Sequence, residues 1–166
     1  MKRQGLWLLL AASAAVLGAC STMSGPAPIE SAAPAGMRWI YRLDTSKQAH
    51  LSYGVPDTDN VGISLRCPRK AVVVAFFTST DKGPAGAGLV RFQSGKAKGR
   101  YAAKLERSEL TGGWDALGEI PLTDPVLSAF EKTGLISQVD DKTYPQNARA
   151  AAERADIKRF FGFCRG

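Results

Sequence analysis

The sequence contains few of the residues on which enzyme active sites depend. Its 166 residues include a single histidine, His50, and three cysteines, with no Cys-x-x-Cys pair and no Gly-x-Ser-x-Gly motif. A catalytic triad would therefore have to use His50, and a zinc site rich in histidine is excluded. No repeat of fixed period runs through the chain, which excludes solenoid and collagen-like folds. We predict neither a cofactor nor a metal site, and we favour a non-enzymatic protein.

Long hydrophobic runs are also absent. The longest run of low polarity, Leu6–Leu17, follows Lys2 and Arg3 and has twelve residues, whereas a transmembrane helix needs about 20. A short positive segment followed by such a run is typical of a secretory signal peptide. The sequence therefore predicts export from the cytoplasm, by cleavage of this segment or with the segment kept as an uncleaved anchor.

The last residues of this run and the cysteine that follows form a short motif at the expected cleavage site. Leu17-Gly18-Ala19-Cys20 resembles the lipobox of bacterial lipoproteins. The resemblance implies cleavage before Cys20 and a diacylglyceryl thioether on that cysteine. Because Ser21, and not Asp, follows, the resemblance also implies attachment to the inner leaflet of the outer membrane, facing the periplasm. An ordinary secreted protein cut near Ala19 is the alternative.

Composition divides the chain into three parts. We predict a signal peptide at 1–19, a lipidated cysteine with a flexible linker at 20–36, and one globular domain at 37–166. The whole chain has 22 basic and 15 acidic residues, a net charge of +7. Loss of Lys2 and Arg3 leaves 20 basic residues against the same 15 acids, so residues 20–166 carry +5. The envelope compartment makes nucleic acid an unexpected partner, and the positive excess favours the membrane, an envelope polyanion or a protein; a charge that only maintains solubility is the alternative.

Hydrophobic periodicity predicts an α+β domain. Period-two alternation and apolar runs indicate strands, which we expect to form an antiparallel sheet of about six strands followed by two C-terminal helices packed on it. Asp124 as N-cap, Pro125 at the first position and Gly134 as C-cap delimit the first helix. The second is predicted over Gln146–Phe161. The six main extended segments, the fourth of them predicted as the central strand, are 37–43, 49–55, 61–67, 71–77, 89–92 and 99–105. The pattern of 114–122 is ambiguous and favours an extended segment, and 135–139 is a candidate for one more strand.

Two cysteines remain once Cys20 is assigned to the lipid. Cys67 and Cys164 allow one pairing, and the compartment implied by the lipobox is oxidising, so we expect a disulfide between them. A redox-active pair is the alternative, although the Cys-x-x-Cys spacing usual for such pairs is missing.

Basic residues lie on the polar side of the first three predicted strands. The alternation places Arg38, Arg42, Arg66 and His50 on outward faces of neighbouring strands. Together with the positive charge, this predicts an anion-binding patch; a solvated sheet face is the alternative. For a hydrolase, the available acids are Glu106, Glu109, Asp115 and Glu119.

Two resemblances bear on the globular domain. Trp39, the segment 53–59 (YGVPDTD), Cys67 and the closing segment 159–164 (RFFGFC) resemble a family of small secreted proteobacterial proteins that brings no assigned activity. This resemblance covers about 37–166 and supports the cysteine pairing. Ser94-Gly95 before Tyr101 is distantly similar to a loop of lysozyme-inhibitor lipoproteins. We therefore predict a lipid-anchored, non-enzymatic binding domain of the periplasm, with an inhibitor of a cell-wall hydrolase as the alternative.

Overall fold

The computed structural model describes residues 35–81, 83, 86–109 and 111–166. The predicted signal peptide, the lipid attachment at Cys20 and most of the linker lie outside these residues. Within them, no helix is long and apolar enough to cross a membrane. The elements in chain order are β1 Arg38–Leu43, β2 Ala49–Gly54, β3 Val61–Cys67, β4 Val73–Thr80, β5 Gly86–Ser94, β6 Ala97–Arg107, β7 Trp114–Pro121, α1 Pro125–Thr133, β8 Leu135–Val139, β9 Thr143–Asn147 and α2 Ala151–Arg165.

The strands form one antiparallel sheet with the order β1-β2-β3-β4-β7-β6-β5-β8-β9. Its two edge strands, β1 and β9, come into contact. Because neighbouring strands lie about 4.8 Å apart, this contact requires the sheet to curl on itself. The α+β class and the antiparallel sheet are confirmed, but the described residues form nine strands, and the expectation of about six was wrong.

Both helices lie on the inner face of the curled sheet, where the alternating apolar side chains meet. α1 packs on β5, β6 and β8, and α2 packs on β1 and β2. The Phe130 ring of α1 lies 4.8 Å from the Trp39 ring of β1 and 5.9 Å from the Phe161 ring of α2, measured between centroids. These three side chains are at most 1% exposed, so one aromatic cluster joins the sheet to both helices.

The first helix has the ends that its sequence predicts. Asp124 is the N-cap, and its side chain accepts a hydrogen bond from the Val126 backbone N–H at 2.7 Å. Pro125 occupies the first helical position. Gly134 ends the helix with a φ of 73°, a left-handed conformation that glycine adopts without strain.

The second helix and its surroundings differ from prediction. β8 and β9 follow α1, so only α2 is C-terminal, and the segment Thr143–Asn147 is a strand instead of the start of a helix. α2 continues through Gly162 to Arg165. A Cβ at Gly162 would meet nothing within 4 Å, so this glycine lies on an open helix face and creates no break.

The edge strand β1 is bonded to α2 through backbone groups. The Trp39 N–H donates to Glu153 Oε2 at 2.9 Å, and the Tyr41 N–H donates to Asp156 Oδ2 at 3.4 Å. Glu153 Oε1 also accepts the N–H groups of Arg149 and Ala150 at the start of the helix. The Glu153 carboxylate is therefore buried, at 8% exposure, and fully engaged.

The disulfide between Cys67 and Cys164 is present, with the two Cα atoms 5.7 Å apart. It joins the end of β3 to the last turn of α2 across a sequence separation of 97 residues. The Ala71 N–H donates to the Cys164 carbonyl at 2.8 Å, which holds the same helix end to the chain between β3 and β4.

Candidate anion-binding site

The four predicted patch residues share the outer face of β1–β3. Arg42 lies opposite His50, and His50 lies opposite Arg66, so these three form one row across the strands. Arg38 is on the same face of β1 at its other end. The structure therefore brings three of the four residues into one row and leaves Arg38 apart from it.

Two members of that row already have acidic partners. Arg42 Nη2 donates to Asp57 Oδ1 at 2.8 Å, and His50 Nε2 lies 2.8 Å from Asp44 Oδ2. The pKa of Asp44 is lowered to about 2, first by the hydrogen bond from the Gln48 backbone N–H, then by the Ser46 hydroxyl and by His50. The hollow beside this row has a volume of about 130 Å³, and its lining includes Asp57, Arg42 and His50. A carboxylate in the wall weakens the attraction for an anion.

A more strongly basic hollow lies at the β5–β6 hairpin, which sequence reasoning missed. Its volume is about 320 Å³. Arg91 of β5 and Arg100 of β6 are direct cross-strand partners, and Gln93 is opposite Lys98. The lining contains three cations and no acidic side chain: Arg91, Phe92, Gln93, Lys98, Gly99, Arg100 and Val139. We call this hollow the hairpin cleft.

The arginine pair also borders a second hollow of about 270 Å³, lined by Thr80, Leu89, Arg91, Arg100 and Asp140. Arg91 Nε donates to the Val139 carbonyl at 2.9 Å, and its Nη2 donates to the Asp140 carbonyl at 3.3 Å. These two bonds fix the plane of the guanidinium and leave its other N–H groups available. The like charges of Arg91 and Arg100 repel each other across the strands, so an anion bound between them would relieve that repulsion.

The hairpin is held rigidly by contacts on its inner face. Tyr101 donates its hydroxyl hydrogen to Asp124 Oδ1 at 2.9 Å, which ties β6 to the N-terminus of α1. Burial and this hydrogen bond raise the pKa of Tyr101, so the phenol stays protonated. Gly99 makes room for the ring, because a Cβ there would lie 2.0 Å from the tyrosine oxygen. At the turn, the Ser94 hydroxyl donates to the Leu135 carbonyl at 2.7 Å.

A signal for the hairpin cleft was present in the sequence. Strands at 89–92 and 99–105 joined by a turn at 94–96 imply that some outward residues of the two strands pair. The structure has a two-residue turn between Ser94 and Ala97, with Gly95 at a φ of 57°, and this turn sets Arg91 against Arg100. The length of the turn fixes which residues of β5 and β6 lie opposite each other. Because the sequence did not give that length, the pairing of Arg91 with Arg100 could not be predicted.

Two of the acids considered for a hydrolase, Glu106 and Asp115, lie close together but away from the hollows described above. Glu106 of β6 is opposite Asp115 of β7 on the outer face of the sheet. Glu106 forms an ion pair with Lys104, and Asp115 accepts a hydrogen bond from Ser79. Neither carboxylate lines one of the three hollows described above.

Metal binding has no obvious location in the part of the chain that the structure describes. No group of three or more histidine, cysteine, aspartate or glutamate side chains there is arranged to hold a metal ion. Among the sites described above, the hairpin cleft is the one best suited to bind a ligand, because its arginines can donate hydrogen bonds to a phosphate or carboxylate group.

Comparisons of the chain with protein-family models, with curated protein sequences and with solved structures find no match.

Proposed function

We propose that the protein is a lipid-anchored domain of the periplasm that binds an anionic group of an envelope component in the hairpin cleft. The observation that carries the proposal is the direct opposition of Arg91 and Arg100, with Lys98 in the same hollow and no acid in its lining. Like charges on directly opposite strand positions favour an anionic ligand, because binding neutralises their repulsion and supplies acceptors for their N–H groups.

The chemistry of the cleft favours a phosphorylated or carboxylated envelope polymer. Guanidinium groups bind planar carboxylates and phosphates through paired N–H donors, and Lys98 adds a point charge beside them. The arginine pair borders both adjoining hollows, but Asp140 lines the second, so the anionic group is assigned to the hairpin cleft, whose lining has no acid. The predicted patch residues Arg38, Arg42, Arg66 and His50 are the second candidate surface for the same class of ligand.

Titration of the protein with pyrophosphate, as the probe anion, tests the cleft. We expect Arg91→Gln with Arg100→Gln to weaken binding at least 10-fold, measured by calorimetry at low and high salt. Lys47→Gln with Lys142→Gln removes the same charge from two exposed turns and should change binding less than 2-fold. Equal weakening by both pairs of substitutions would show that net charge, and not the cleft, attracts the anion. A larger loss from Arg42→Gln with Arg66→Gln would assign binding to the predicted patch.

The membrane anchor is tested separately at Cys20. We expect Cys20→Ala to move the protein from the membrane fraction of cells to the soluble periplasmic fraction or to leave an uncleaved precursor. Ordinary processing with unchanged membrane fractionation of this variant would contradict the lipid attachment. A Ser21→Ala variant, which keeps the cysteine, serves as the matched control.

An inhibitor of a cell-wall hydrolase remains the alternative prediction. It would gain support from a loop near 79–99 shaped to enter an active site. In the described part of this region, residues 86–94 and 97–99 belong to strands within the sheet. Crosslinking in intact envelopes separates the two functions, because recovery of a hydrolase would favour the inhibitor and recovery of polysaccharide alone would favour the anion-binding domain.

A further inference from the structure

We propose that the exposed side of α2 is a docking surface for an anionic lipid membrane, which holds the tethered domain against the leaflet that carries its lipid. The surface consists of Arg154, Lys158 and Arg165, which we call the α2 basic stripe. This inference rests on the proposed lipid anchor at Cys20 and is independent of the hairpin cleft.

Helical geometry puts the three cations on one side. On an α-helix, residues that are four or seven positions apart lie on the same side. Lys158 is four residues after Arg154, and Arg165 is seven residues after Lys158. All three side chains are exposed. The acids of the same helix, Glu153 and Asp156, are instead directed at the backbone of β1, where they accept hydrogen bonds. The stripe therefore presents positive charge that its own helix does not neutralise.

Two of the three cations are available to a ligand. Arg165 forms an ion pair with Glu131 of α1. No ion pair among the residues that the structure describes includes Arg154 or Lys158. Among the described residues, no ion pair therefore reduces the attraction of Arg154 and Lys158 for a negatively charged surface.

The residues around the stripe favour a lipid surface over a protein partner. Ala151, Ala155 and Gly162 are exposed on this part of the helix, and they are small. The centre of a protein–protein interface is typically rich in aromatic residues, which this stretch of the helix surface lacks. Without a bulky apolar side chain the helix would also not insert between acyl chains. A basic, smooth surface is suited to electrostatic contact with lipid headgroups.

The position of the tether brings this surface to the membrane. The described chain begins at Ala35, and three residues into the domain the Trp39 N–H contacts Glu153 in the first turn of α2. The linker therefore joins the domain beside the N-terminal end of the stripe. The sequence predicts a flexible linker at 20–36, and about sixteen residues of such a linker span roughly 20–25 Å, which is short enough to keep Arg154 within reach of the headgroups.

Energy transfer from tryptophan to a lipid-attached acceptor measures the docking. The mature lipidated protein is placed in vesicles of phosphatidylcholine alone or of equal parts phosphatidylcholine and phosphatidylglycerol. We expect more energy transfer from Trp39 and Trp114 to a dansyl lipid when phosphatidylglycerol is present. This additional transfer should be lost at about 1 M salt, where the Debye length is about 3 Å. Each basic residue near an anionic leaflet contributes roughly 5-fold, so loss of two such residues lowers the ratio of docked to undocked protein about 25-fold. Because Arg154→Glu with Lys158→Glu also adds two negative charges, we expect this double variant to lower the ratio by at least that factor.

The control variant has the same change of net charge, made by two substitutions outside the α2 basic stripe. Lys96→Glu with Lys142→Glu alters the exposed turns β5–β6 and β8–β9 and should leave most of the excess transfer intact. Equal transfer in the two kinds of vesicle, or an equal loss with both pairs of substitutions, would overturn the docking surface. If the protein does not float with vesicles of either kind, the lipid anchor fails and the docking fails with it; flotation without dependence on phosphatidylglycerol refutes the docking alone.

Discussion

Removal of the disulfide between Cys67 and Cys164 should lower the free energy of unfolding by about 3–5 kcal/mol. The bridge closes a loop with a sequence separation of 97 residues, and the chain-entropy model gives about 4.7 kcal/mol for a loop of about 100 residues. Domains of this size are typically stable by about 5–15 kcal/mol. The loss therefore takes a large part of the stability, and we expect the variant to be marginally stable at 37 °C.

The structure indicates that this loss arises in the unfolded chain and not in the native contacts. The Cys164 carbonyl still accepts the Ala71 N–H without the bridge, and Ile157, Phe160 and Phe161 of α2 remain in the core. The native fold should therefore persist in Cys67→Ala with Cys164→Ala. Because the unbridged denatured chain expands further, the dependence of the unfolding free energy on urea should become steeper as well.

Urea unfolding followed by circular dichroism provides the measurement. The comparison uses the bridged protein, the double alanine variant and the bridged protein after reduction, all with Cys20→Ala so that no other thiol is present. A loss below about 1 kcal/mol, or two free thiols in protein purified from an oxidising compartment, would refute the reasoning. Agreement between the reduced protein and the double variant would show that the bridge, and not the packing of the sulfur atoms, carries the effect.

Three further predictions concern single side chains. Glu153→Ala leaves the buried Trp39 N–H without its acceptor and should cost about 2–3 kcal/mol in urea unfolding, whereas Glu153→Gln, which keeps one carbonyl oxygen, should cost less. The pKa of Asp44 is about 2 in the folded protein, below its ordinary 3.8; its stabilising contribution is therefore present above about pH 4 and lost as the pH falls towards 2, and a titration of Asp44→Asn should lack this component. Gly99→Ala would force the Tyr101 ring from its place and should cost about 1–3 kcal/mol in thermal unfolding, with the pKa of that tyrosine falling towards its ordinary value in a spectrophotometric titration. Unchanged stability in the first or third variant, or an unchanged acid limb in the second, would contradict the assigned contacts.

The regular part of the fold was readable from the sequence because its signals are local. The alternation in β1–β3 and the capping residues of α1 depend on neighbours in the chain, and both predictions are confirmed. β9 carries no such pattern. Its buried residues, Thr143 and Gln146, are polar and three positions apart, and Pro145 between them has no backbone N–H to donate. This strand forms because it pairs with β8, which is a tertiary contact that no local pattern records.

The start of α2 and the hairpin cleft were missed for a related reason. Ala150 is the N-cap of α2 and has no side-chain acceptor to mark the start of the helix; the one local signal is Glu153, which accepts the backbone N–H of Ala150 from within the helix. A start at Gln146 was therefore predicted in error. Arg91 and Arg100 belong to predicted strands, but their opposition depends on the register of the hairpin. The disulfide was predictable because the expected lipid attachment set Cys20 aside, and the two cysteines that remain allow one intramolecular pairing.

The hydrogen bonds from β1 to α2 have a consequence for the proposed attachment of the protein to a membrane. An edge strand with free N–H groups can pair with the edge of another molecule, and tethering to a membrane raises the frequency of such encounters. Here the amides of Trp39 and Tyr41 already donate to carboxylates of α2, and Pro145 has no N–H to offer on the opposite edge strand. Strand-to-strand polymerisation is thereby hindered at both edges of the sheet, so copies held on one leaflet by the proposed lipid anchor would remain separate molecules.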